Sequence, residues 1–170
     1  RDQWLHHASR IESGAMKAEV EAGFAALIER DLAVVGDLLD ARVQSLLMPL
    51  ARFAAANAPG ALDSIFDWNF RLTAAIADLP RWQAVAALLL TTGGTLRKIV
   101  DNRIGFPADK EFGDQKKAML ELLAELRGVA GLEDALAMLV KLPRPELSEG
   151  EWAAVECFGR LLRVAAGQLW

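Results

Sequence analysis

The chain has 170 residues, of which 53% belong to the hydrophobic set and 25% are charged. A domain of this length buries roughly 70% of the surface that its unfolded chain exposes, which excludes a disordered protein or a small disulfide-stapled scaffold. The single cysteine, Cys157, excludes an intramolecular disulfide and a four-cysteine zinc site, so we expect a reduced, cytoplasmic protein. The longest apolar run, residues 84–90, is far shorter than a membrane span, and we expect no membrane partner.

Charge is unevenly distributed along the chain. The net charge is -4 and the sequence pI is about 5.2, which argues against a protein whose whole surface wraps nucleic acid. Residues 97–117, however, hold six basic and four acidic side chains, a local charge of +2. This segment is compatible with a local phosphate contact, and a solvated surface is the alternative.

Composition and spacing predict an all-α fold. Ala and Leu supply 57 positions, and no alternating run typical of a half-buried strand occurs. We predict one irregular multi-helix bundle that forms a single domain over residues 1–170, with a long glycine-containing loop near residues 91–113. The predicted helices, in chain order, cover residues 1–13, 14–31, 32–56, 62–77, 80–90, 114–127, 132–141 and 148–170.

Several local signals fix details of these elements. Pro49 predicts a kink or a break because proline lacks the amide proton, whereas Pro80 fits the first turn of its helix. Residues 91–113 lack helical periodicity and predict an ordered loop or a short hairpin. Ser148 and Glu151 have the spacing of a capping box.

The last helix carries a predicted buried stripe, and Cys157 beside it is expected to be a core thiol. The stripe consists of Trp152, Val155, Phe158, Leu161, Leu162 and Leu169. The five tryptophans are expected to anchor a core or an interface. They are Trp4, Trp68, Trp82, Trp152 and Trp170.

No catalytic or metal motif emerges from the residues. The glycines and Lys98 of residues 93–98 lack the spacing of a phosphate-binding loop. His6 and His7 are adjacent and would point in different directions on a helix, so they cannot clamp one ion. We therefore expect no metal site, no cofactor and no enzymatic activity in this chain.

Short motifs follow one another in the second half of the chain. LLLTTGGTLRK at residues 88–98 precedes a lysine-bearing helix, which is followed by Leu142-Pro143, Pro145, Trp152 and the leucines of the last helix. This order resembles the helical accessory region of UvrD/Rep-type superfamily 1 DNA helicases, and most closely the helicase subunit of AddAB/RecBCD-type helicase-nucleases. The resemblance covers residues 80–170, about half of the chain, and its motifs are short.

The resemblance implies a role without chemistry of its own. In that family this region is inserted into the first of two RecA-like motor domains, between the ATP-binding loop and the acidic Mg²⁺ motif, and neither motif occurs here. It implies a parent ATP-dependent DNA helicase active in double-strand break repair, which would supply ATP, Mg²⁺ and the motor domains. The chain begins at Arg1 without methionine and ends at Trp170 within a helical pattern, so we expect it to be excised from such a parent.

The implied partner is duplex or tailed DNA, contacted through its backbone ahead of the motor. Thr91, Thr92, Arg97 and Lys98 occupy the matching segment, and their hydroxyls and cations suit phosphate contacts. Lysines and an arginine nearby complete the predicted DNA-binding set. These are Arg103, Lys116 and Lys117.

Two alternatives stay open at this stage. Each of these charged residues could instead be a solvent-exposed charge with no partner. The whole chain could instead be a helical regulatory domain that binds an apolar ligand or dimerises, as its Ala/Leu-rich helices and tryptophans allow.

Overall fold

Helices account for most of the chain in the computed structural model, which describes residues 17–58, 60 and 62–168. The described part contains six α-helices, and its only strand-like pairing is one antiparallel bridge. The all-α prediction is confirmed, and the predicted helix over residues 1–13 lies outside the described residues. The helices are α1 (Lys17–Leu38), α2 (Ala41–Asn57), α3 (Leu79–Leu89), α4 (Gly113–Leu126), α5 (Leu132–Lys141) and α6 (Glu149–Gln168).

The boundary between α1 and α2 differs from the predicted boundary. The sequence predicted a break between residues 31 and 32, but α1 continues to Leu38 because Leu32 and Val35 keep its buried face unbroken. The next helix begins after Asp40, whose carboxylate accepts a hydrogen bond from the Val43 amide at 2.9 Å. Pro49 lies within α2 and does not end it.

The helix predicted over residues 62–77 is wrong. This segment holds two 3₁₀ turns, Asp63–Ile65 and Ile76–Asp78, joined by irregular chain. Two backbone amides of this segment donate to side chains and not to helical carbonyls. The Leu72 amide donates to Gln44 Oε1 at 2.9 Å, and the Thr73 amide donates to Asp78 Oδ2 at 2.8 Å. These hydrogen bonds replace the helical ones.

Residues 29–142 form one compact unit in which α2 packs on α4 and α3 packs on α5. Two predicted core tryptophans, Trp68 and Trp82, are fully buried there. Their indole N–H groups donate to the backbone carbonyls of Phe70 (2.6 Å) and Thr73 (2.8 Å), so neither is buried without a partner.

Residues 17–28 and 143–168 form a second compact unit. The predicted capping box is confirmed, because the Ser148 amide donates to Glu151 Oε2 at 2.8 Å and the Glu151 amide donates to Ser148 Oγ at 3.3 Å. The hydrogen bonds from the Ser148 hydroxyl and amide hold the pKa of Glu151 below its ordinary value. Trp152, in the first turn of α6, is buried as predicted.

The rest of the predicted stripe on α6 is only partly confirmed. Phe158 and Leu161 are each 61% exposed, and Cys157 is exposed rather than a core thiol. A helical stripe predicts which side chains share a face, but burial also requires another element to cover that face. Leu169, Trp4 and Trp170 lie outside the described residues.

Candidate functional site

The segment after α3 begins with a tight turn. Leu90 and Leu96 form the antiparallel bridge, and the Thr91 amide donates to the Thr95 carbonyl at 2.8 Å. Gly94 closes the turn in the left-handed region, with φ of 80°, where glycine avoids the steric cost that other residues carry. Residues 90–96 therefore form a tight turn closed by one bridge and not a hairpin of two strands, and the turn presents Thr92 to solvent.

The Arg97 side chain forms hydrogen bonds with the last turn of α3. Its Nε donates to the Leu88 carbonyl at 3.0 Å and its Nη2 to the Ala87 carbonyl at 3.2 Å. These carbonyls belong to the last turn of the helix, which lacks helical partners and carries partial negative charge. Partial burial lowers the pKa of Arg97, and the attraction of Asp101 opposes that shift. Arg97 therefore caps the helix, and two of its three nitrogens are already engaged.

The remainder of the segment packs on α2. Phe106 is buried and its ring centroid lies 5.6 Å from that of Phe53. The 3₁₀ turn Asn102–Ile104 lies just before Phe106 in the chain. A 2.9 Å hydrogen bond from the Arg103 amide to Asp101 Oδ1 holds this turn. The Arg103 side chain is exposed and forms no ion pair with any other described residue.

Long-range hydrogen bonds hold α5 and the end of α4 beside this segment. The Leu96 amide donates to Glu133 Oε1 in the first turn of α5 at 2.7 Å, and Arg127 Nη2, just after α4, donates to the Arg97 carbonyl at 2.8 Å. At the other end of α5, Gln83 Nε2 donates to the carbonyls of Leu139 (3.1 Å) and Leu142 (3.0 Å). Helix α5 therefore runs antiparallel to α3.

These elements enclose a cleft of about 650 Å³ within residues 29–142. Helix α5 turns one face towards it, because Asp134, Ala137 and Lys141 follow the three- and four-residue spacing of one helix face. The complete lining is Ala58, Leu62, Ala87, Leu88, Leu90, Thr91, Thr92, Gly93, Gly94, Arg97, Arg103, Ile104, Asp134, Ala137, Val140 and Lys141.

The cleft has an apolar floor and a mostly basic rim. Leu62, Leu88 and Leu90 are buried and form the floor. On the rim, Arg103 and Lys141 are exposed cations without an ion pair among the described residues, against one acid, Asp134. Anions are favoured at that basic part of the rim.

Four of the seven predicted DNA-binding residues lie in this cleft: Thr91, Thr92, Arg97 and Arg103. Lys98 is exposed just beyond the turn and does not line it. Lys116 and Lys117 lie on α4, outside the cleft, and Lys117 Nζ is 3.9 Å from Glu121 Oε1. The structure thus brings four of these residues together and leaves the three lysines apart from them.

Lys141 and Asp134 also line this cleft, although the sequence pattern did not predict them as site residues. Their seven-residue spacing placed them on one helix face, but only the contacts that dock α5 against α3 show that the face borders the turn. Gly94 and Ala137 illustrate this docking, because a Cβ at residue 94 would lie 3.6 Å from the Ala137 Cβ.

The described residues contain no group of three or more His, Cys, Asp or Glu side chains that could hold a metal ion. None of the helices in the described part of the chain combines the length and hydropathy needed to cross a membrane. No protein family, curated protein or solved structure matches the chain.

Proposed function

We propose that this chain is a DNA-contacting accessory domain of an ATP-dependent DNA helicase, and that the cleft holds the DNA backbone. The observation that carries the proposal is the gathering of Thr91, Thr92, Arg97 and Arg103 in one cleft, which Lys141 also borders. The motif order between residues 88 and 169 supplies the helicase context.

The chemistry of the rim suits phosphate rather than bases. Arg103 and Lys141 offer cations that form no ion pair with the part of the chain that the structure describes, and Thr92 offers an exposed hydroxyl in the turn. Such groups position a duplex by its phosphates and carry no direct sequence information. We therefore propose nonspecific binding to duplex or tailed DNA.

The proposed domain depends on its parent for activity. The chain lacks the phosphate-binding loop, so ATP hydrolysis, with its Mg²⁺, belongs to the RecA-like motor domains of the same parent chain. The proposed partners are DNA and those motor domains, and the proposed setting is double-strand break repair in the cytoplasm.

The test is the salt dependence of binding to a labelled duplex with a single-stranded tail, measured by fluorescence anisotropy. We expect Arg103→Ala with Lys141→Ala to weaken binding at low salt and to flatten the slope of log affinity against log salt by about 2, since each phosphate contact contributes about 0.9. Arg97 is left unchanged because its loss would also remove the cap of α3.

A matched control removes two cations elsewhere. Arg52→Ala with Arg71→Ala has the same change in net charge, and neither residue lines the cleft. The control is expected to keep most of the wild-type slope. Equal slopes for wild type and the Arg103/Lys141 variant would overturn the site, and no salt-sensitive binding by wild type would overturn the function.

A further inference from the structure

The floor and walls of the cleft are more apolar than a phosphate contact requires. Besides the buried leucines, Ile104, Ala137 and Val140 line it, and none of its lining side chains is aromatic. Its volume of about 650 Å³ lies within the range of small-molecule sites, which combine an apolar lining with a few polar groups that orient the ligand. An aliphatic chain matches this lining better than a nucleobase, which favours an aromatic stacking partner.

The charged side chains that line the cleft favour one orientation of such a ligand. Asp134 and Lys141 lie seven residues apart on α5, which corresponds to about 10 Å along the helix axis. Both cations of the rim, Arg103 and Lys141, are free of ion pairs among the described residues. An anionic head group is therefore favoured near Lys141 and disfavoured near Asp134.

We propose that the cleft binds a medium-chain aliphatic carboxylate, with its chain on Leu62, Leu88 and Leu90 and its carboxylate near Arg103 and Lys141. This inference goes beyond DNA binding and does not depend on it. It takes up the apolar-ligand alternative that the sequence left open and assigns it a site and a ligand class.

The test is calorimetric titration of the full chain with decanoate, octanoate, hexanoate and decanol. We expect saturable one-site binding of decanoate, with affinity falling about threefold to fourfold for each methylene removed. Decanol keeps the chain but lacks the charge, so it is expected to bind about tenfold more weakly.

Two neighbouring positions on α5 provide a matched pair of variants. Val140 (52% exposed) lines the cleft, whereas Met138 (58% exposed) does not, so either position can accept a carboxylate without a buried charge. Val140→Asp is expected to weaken decanoate binding at least about tenfold through repulsion and loss of apolar contact, and Met138→Asp is expected to leave it unchanged.

Three results would overturn the proposal. The first is equal affinity for decanoate and decanol, which would remove the role of the cations. The second is an equal effect of Val140→Asp and Met138→Asp, which would place the ligand outside the cleft or reveal nonspecific partition. The third is the absence of binding, seen as no heat of binding to wild type together with a thermal midpoint that decanoate leaves unchanged.

Discussion

Among the glycines that the structure describes, Gly105 leaves the least room for a side chain. Its φ is 82°, and a Cβ added there would collide with the carbonyl group of Ala54 in α2. The close approach allows residues 102–106 to lie against α2, with Phe106 buried beside Phe53. One glycine therefore fixes the position of the turn that carries Arg103 to the cleft.

We predict that Gly105→Ala lowers the free energy of unfolding by about 3 kcal/mol, combining the left-handed backbone penalty with the cost of overpacking. Gly131→Ala is the matched control, because Gly131 has φ of 80° but no neighbouring atom within 4 Å of the Cβ that alanine would add. It should cost only about 1 kcal/mol. Urea denaturation measures both, and equal losses would show that the approach to Ala54 is not the constraint.

Arg97 and Arg103 show why similar residues in one segment have different roles. Both were predicted to contact DNA, but the carbonyls of Ala87 and Leu88 engage Arg97, whereas Arg103 forms no ion pair among the described residues. The sequence shows the two cations and their spacing from α3. It does not show that the chain folds back at Gly94 and brings only one of them onto helix carbonyls.

At the scale of elements, the reliable predictions were the local ones. The capping box at Ser148, proline in the first turn of α3 and the bounds of α5 depend on residues within one turn of each other, and all three are confirmed. The failed helix over residues 62–77 depends on Gln44, which is distant in sequence and takes the Leu72 amide. Such tertiary hydrogen bonds leave no periodic signal in the segment itself.

The capping box of α6 predicts a dependence of stability on pH. The pKa of Glu151 is lowered in the folded chain by hydrogen bonds from Ser148, so its contribution is present above the ordinary glutamate pKa and is lost as pH falls through the lowered value. We expect Glu151→Ala to lower the thermal midpoint of the chain at neutral pH, and the difference from wild type to shrink as pH falls below the ordinary glutamate pKa. Circular dichroism at 222 nm measures both midpoints.

Glu146→Ala is the control for this titration. Glu146 precedes the same helix, is exposed and forms no hydrogen bond or ion pair with any other described residue. Its loss should leave the midpoint unchanged across the same pH range. A difference between wild type and Glu151→Ala that stays constant from neutral to acidic pH would exclude the charged carboxylate as the source of the effect.

At the scale of the whole molecule, burial is concentrated in one of the two compact units. Every buried hydrophobic residue among those described lies within residues 29–142, except Ile28 and Trp152. Several large apolar side chains of α6, by contrast, are more than half exposed. These are Phe158, Leu161 and Val164.

We predict that this difference appears in amide hydrogen exchange of the intact chain. Helices that bury more apolar surface open less often, so the central amides of α2, α3 and α5 should exchange at least about tenfold more slowly than those of α6. Exchange followed by mass spectrometry resolves these peptides. Protection of α6 equal to that of α3 would contradict the concentration of stability in residues 29–142.

The lining of the cleft depends on how distant helices pack against one another. Thr91, Thr92 and Arg97 could be selected from the sequence because they occupy the segment that resembles the helicase family, and Arg103 because it belongs to the basic segment of residues 97–117. Lys141 could not, because its place at the rim requires α5 to pack antiparallel to α3 through the contacts of Glu133 and Gln83. Long-range packing determines which charges share a surface, and no local pattern encodes it.

DNA binding at the cleft is tested most directly by titrating the isotope-labelled chain with a short tailed duplex and following the NMR shifts of its backbone amides. We expect the largest shifts at residues 91–94, at Arg103 and Ile104, and along residues 137–141 of α5. Shifts confined to surfaces outside the cleft, or no shifts at low salt, would contradict DNA binding at the cleft.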